Sequence, residues 1–172
     1  MSHRVPAAAL SLLLPILTAA PLCAQDHAAH DHAAMSGRDT SFAAMQERGK
    51  RAMGVDQYTS AHRFDDAPDG GRIVLQRDTA DTAGTRVIRE HLRSIAGKFS
   101  VGDFRIPGFV HAGEVPGTRE MTRHRRRITY RFEPLPGGGQ VRIVSRDPAA
   151  IRAIHRFLAF QRTEHRAPGK AL

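Results

Sequence analysis

Histidine has the greatest chemical capacity in this sequence, and it falls in two groups. The first lies in Asp26-His27-Ala28-Ala29-His30-Asp31-His32-Ala33-Ala34-Met35, which sets imidazole, carboxylate and thioether donors within ten residues. Imidazole suits copper, zinc and nickel, and a thioether favours reduced copper. His27, His30, His32 and Met35 are therefore candidate metal ligands. A chain beginning at Gln25 would add a second possibility at Gln25-Asp26-His27. There an amine, two backbone amides and an imidazole can hold Cu(II) or Ni(II) in a square plane. Cyclisation of Gln25 would block that amine.

The second group is spread over the rest of the chain. His62 alternates with Tyr58, Ser60 and Phe64, which predicts a strand carrying His62 on the same face as Phe64 and Tyr58. His91 lies between Ile88 and Ile95 at helical spacing, and His155 lies likewise between Ile151 and Leu158. His111 sits in a Gly- and Pro-rich connection, and His165 ends the last helical pattern. The expectation is a shared metal site of His62, His91, His111 and His155, with His91 and His155 meeting between two adjacent helices. The bland alternative is that each histidine is a satisfied core residue.

The elements that must position them come in a repeated order. Around Pro68-Asp69-Gly70-Gly71 two alternating runs predict a hairpin, followed by a helix over about Thr82–Phe99. Around Pro136-Gly137-Gly138-Gly139 a second hairpin is followed by a helix that Asp147 caps and Pro148 opens. Local matches reinforce the parallel: Arg63-Phe64 against Arg131-Phe132, and Arg77-Asp78 against Arg146-Asp147. The fold class expected is α+β. Duplicated ββα units, about residues 58–99 and 126–162, make one four-stranded antiparallel sheet with helices on one face. A short N-terminal helix over Phe42–Met53 precedes it, and residues 100–117 read as a long loop before a short helix over about Thr118–His124.

The N-terminus predicts export. Arg4 precedes an apolar run from Val5 to Leu17, and Thr18 to Ala24 offers a cleavage site, best placed after Ala24. The domain reading is a signal peptide over 1–24, a disordered His-rich arm over 25–38, one domain over 39–166 and a short tail over 167–172. Cleavage would discard Cys23, the only cysteine, leaving a periplasmic or secreted chain without disulfides. The formal charge of +9 loses only Arg4 with the signal, leaving 25 basic and 17 acidic residues. Arg123-His124-Arg125-Arg126-Arg127 has no interleaved aromatic residues, so nucleic acid is not the expected partner. A solvated face is the simpler reading, with weak contact to an anionic envelope surface as the alternative.

No G-x-S-x-G, H-E-x-x-H, P-loop or dinucleotide-binding pattern occurs. Asp56, His111, Glu114 and Glu120 offer acid and base groups but no recognisable arrangement. An enzyme would need a concave pocket holding His111 beside a carboxylate.

Three segments carry a resemblance: Arg48 to Gln57, Gly102-Asp103-Phe104 through His111, and Ala153 to Gln161. Over about residues 42–165 the chain resembles a group of small exported bacterial proteins of uncharacterised function. Some of these bear the name aspartate carbamoyltransferase, yet the Ser-Thr-Arg-Thr phosphate loop of that enzyme is absent here. The group often has paired histidines where this chain has His62-Arg63. The resemblance implies no activity. Two readings therefore stand: an exported transition-metal-binding protein, with copper favoured over nickel or zinc, or a non-catalytic module that binds a small ligand or partner. An enzyme of unknown reaction ranks third.

Overall fold

The computed structural model describes residues 26–168, with side chains from Thr40 onward. The predicted signal peptide, its cleavage site and Cys23 lie outside the described residues, as do the side chains of His27, His30, His32 and Met35. The compact unit that carries the sheet begins at Ser36. Among the described residues no helix is long and apolar enough to cross a membrane.

Helix α1 is Asp26–Met53, so it takes in backbone that the sequence reading assigned to the polar arm. Alanine, abundant there, is the best helix former. A 3-10 turn at Gln57–Thr59 follows, capped by Asp56, whose Oδ1 accepts from the Tyr58 N–H at 2.8 Å. The first strand therefore starts later than the alternation predicts. Tyr58 lies on the turn and is 69% exposed instead of sharing the inner face with His62.

Strands β1 (Ala61–Ala67) and β2 (Gly70–Gln76) form the first hairpin, and β3 (Ile128–Leu135) and β4 (Gly138–Ser145) the second. Each turn is two residues long. The sheet is antiparallel throughout, in the order β1-β2-β4-β3. At its centre Ile73 pairs with Val141, while Gly71 pairs with Ile143 and Leu75 with Gly139. A two-fold exchange through the Ile73–Val141 pair thus converts one hairpin into the other.

Helices α2 (Thr82–Ser100) and α5 (Pro148–Glu164) lie on the same face of this sheet. Glycine marks where each crosses. A Cβ on Gly71 would lie 2.3 Å from Leu158 Cδ1, and one on Gly139 would lie 3.2 Å from Leu92 Cδ1 and 2.7 Å from Phe132 Cε2. Because Leu75 pairs with Gly139 and Ile143 with Gly71, the two contacts fall on one side of the sheet. Helix α2 packs mainly over β3 and β4, and α5 over β1 and β2, so each helix covers the other unit's hairpin. The core between the layers includes Ile88, Leu92, Phe99, Val141, Ile143, Ile154, Phe157 and Leu158, all at most 2% exposed.

The predicted loop over residues 100–117 contains a helix, α3 (Arg105–His111). Pro107 is compatible with it because it falls in the first turn, where its missing N–H costs no intrahelical bond. Helix α4 (Thr118–Arg123) follows, and Arg125–Arg127 forms a second 3-10 turn.

Candidate functional site

Between α2 and α5, above β1 and β2, lies a partly open cavity of about 70 Å³ bounded by the C-terminal end of α1 and by α3. That volume exceeds what a single water requires. Phe64, Ile73, Leu75, Ile95, Phe99 and Phe157 supply apolar wall, and four histidines enter it: His62 from β1, His91 from α2, His111 from α3 and His165 from the end of α5. Among the described residues no aspartate or glutamate lines it.

The imidazoles form a connected group. His62 and His165 stack with centroids 5.3 Å apart and planes 13° apart, and His111 meets His165 edge-on at 5.2 Å and 88°. All four are held neutral. Burial lowers His62 to about 4, with the nearby His91 adding to the effect. Burial lowers His91 to about 4 and His165 to about 3, the latter also opposed by His62 and His111. Burial lowers His111 as well, with a hydrogen bond to Gln161 pulling the other way. The common cause is that a charged imidazole here would lose its hydration and find no carboxylate partner in the wall.

The Ser60 and Ala52 backbones favour the charged forms of His62 and His91, against the larger effect of burial. One of the rings is anchored through a side-chain hydrogen bond. His111 Nε2 lies 3.1 Å from Gln161 Oε1. An amide oxygen only accepts, so His111 donates from Nε2 and keeps a lone pair on Nδ1. That Nδ1 is buried without a partner among the described residues, as is Oε1 of Gln57 in the same wall. Two buried acceptors without a donor are costly to leave empty-handed.

The structure divides the expected four-histidine set. His62, His91 and His111 do share a cavity, but His155 is elsewhere: its Nε2 donates to the Ala67 carbonyl at 2.9 Å. His91 and His155 do not meet, because α2 and α5 stand over different hairpins and the cavity opens between them. His165 takes the fourth place. Its spacing from Ile154, Leu158 and Gln161 continues the inward stripe of α5, a signal present in the sequence. Gln57 and Gln161 were not expected. Among the described residues no group of three or more His, Cys, Asp or Glu is arranged to hold a metal ion. The near-parallel stack explains part of this, since two such rings cannot aim in-plane lone pairs at one point.

The acid and base candidates disperse. Asp56 caps the 3-10 turn, Glu114 pairs with Arg119 at 2.5 Å, and Glu120 lies 3.5 Å from Arg156. None lines the cavity beside His111.

Comparison with known proteins returns no match to the chain among family models, curated proteins or solved structures.

Proposed function

We propose that this protein is a non-catalytic binding module whose histidine-lined cavity takes a small, largely apolar molecule bearing O–H or N–H donors. The observation that carries this reading is the pair of buried acceptors, His111 Nδ1 and Gln57 Oε1, which have no partner among the described residues and lie in a wall of apolar side chains and neutral imidazoles. Few polar groups in an apolar concavity is the usual composition of a small-ligand site. Neutral imidazoles add acceptors without the desolvation cost of a charge.

Export to the periplasm or beyond is part of the proposal and rests on the N-terminal sequence alone. A second reading, transition-metal binding with copper favoured, rests on the convergence of four histidines on one cavity, with His111 held through Nε2 by Gln161. Metal-bound histidines are commonly fixed in this way by outer hydrogen bonds. It requires the rings to turn from their present stack toward a common point.

Phenol is a suitable probe, with a ring for the walls and one O–H for an acceptor. Titrated into the protein and followed by the histidine ring signals in NMR, it should shift His62, His91, His111 and His165 and leave His155 unmoved. Parallel titrations with Cu(I), Cu(II) and Zn(II) separate the second reading. Phenol leaving all four cavity signals in place would sink the first.

A further inference from the structure

The face of the sheet turned away from α2 and α5 has a row of charge across all four strands. Asp65, Arg72, Arg142 and Arg131 stand directly opposite one another on β1, β2, β4 and β3. Like charges in directly opposed positions are destabilising unless something offsets them. Asp65 offsets Arg72 at 2.8 Å and Arg63 at 3.0 Å. Asp69 pairs with Arg142, whose Nη1 also donates to the Gly71 and Ile143 carbonyls. Arg131, at the edge of the sheet, has no such neighbour. It is exposed and makes no ion pair or hydrogen bond among the described residues.

Arg131 lines a cleft of about 600 Å³ together with Arg127, Thr129, Ser145, Arg146 and Asp147. Arg146 is likewise exposed and unpaired among the described residues. Asp147, the one acid lining the cleft among the described residues, is already engaged. Asp147 accepts from the Ala149 and Ala150 N–H groups at 2.8 and 3.4 Å, and lies 3.3 Å from His124 and 3.4 Å from Arg127. Helix α5 also starts at this cleft, but Asp147 already caps its first-turn N–H groups, so the field here comes from the arginines. Exposed arginines and the Thr129 hydroxyl around one concavity match the chemistry of a phosphoryl group.

We propose that this cleft is an oxyanion site, separate from the histidine cavity, in which Arg131 and Arg146 grip a phosphoryl group. The group has two possible sources, a soluble phosphate or a phospholipid headgroup. The test uses the full chain with inorganic phosphate by calorimetry, and with vesicles of phosphatidylglycerol or of phosphatidylcholine by co-sedimentation. Binding to phosphate, or to phosphatidylglycerol and not phosphatidylcholine, is expected to weaken about tenfold or more in R131Q/R146Q, because two charge-assisted contacts are lost. R152Q, which removes one exposed charge from α5 outside the cleft, should retain binding. Melting curves of all variants check that the fold persists, and both arginines are exposed enough to be replaced without loss of core. Absence of binding to either probe overturns the proposal. So does equal weakening by R152Q and by the double variant, which would mark a diffuse effect of net charge.

Discussion

Arg89 and His155 occupy equivalent places in the two ββα units. Arg89 stands eight residues after the α2 cap Asp81, and His155 stands eight after the α5 cap Asp147. Arg89 Nη2 donates to the Leu135 carbonyl at 2.9 Å, and His155 Nε2 donates to the Ala67 carbonyl at 2.9 Å. Ala67 and Leu135 are the last residues of β1 and β3, so each side chain ties its helix to the hairpin turn beneath it. The partner of His155 in the repeat is thus an arginine, and the histidine has a structural task.

His155→Ala should cost about 1–2 kcal/mol, since it leaves a carbonyl without its donor. Thermal or urea denaturation measures this. The NMR response of the cavity histidines to phenol should be unchanged in the variant. A variant of normal stability with altered phenol binding would place His155 in the site after all.

The buried histidines predict acid sensitivity. Their folded values lie below the ordinary 6.5, so the unfolded chain binds more protons as pH falls below that value. Stability is then full above about pH 6.5 and is lost progressively toward pH 4, where His62 and His91 begin to charge in place. Each of these two should contribute about 3 kcal/mol to the loss. Urea midpoints of the metal-free protein between pH 7 and 4 test the sign. A midpoint flat across this range would contradict the burial of the cluster.

Gln161→Leu should remove the acceptor that sets the His111 tautomer. The expected outcome is a loss of about 1–2 kcal/mol in stability and weaker phenol binding, because Nδ1 is no longer reserved as the acceptor. Nitrogen-15 shifts of the His111 ring report the tautomer directly. An unchanged tautomer would show that something other than Gln161 selects it.

Gly71→Ala should destabilise by about 2 kcal/mol by pushing Leu158 off the sheet. Gly139→Ala should do less to α2, whose Leu92 stands farther from the added carbon. Chemical denaturation of the two variants compares them. Equal, negligible effects would mean that the helices can lift without penalty.

Most of the architecture was legible in the sequence because its signals are local. Alternation marked the strands, Pro and Gly marked both turns, and Asp147-Pro148 marked the start of α5. The repeated order of these elements already implied one sheet with two helices on the same face. Helix α3 was missed because Pro107 and Gly108 weaken its local preference, while burial of Pro107 and Val110 favours its packed form. Tyr58 was misplaced because the alternation runs unbroken through a turn that Asp56 caps.

The candidate site was legible only in its ingredients. Sequence determined that His62, His91 and His111 lie on inward faces or in the connecting segment, and the stripe of α5 already carried His165. Which histidines share a space depends on which hairpin each helix covers, and that is decided by packing between residues far apart in the chain. With α5 drawn over β1 and β2, His155 reaches the Ala67 carbonyl and His165 reaches His62. Periodicity assigns a side chain to a face, whereas only the tertiary fold brings faces together, because helix placement on a sheet follows from where glycine permits close approach.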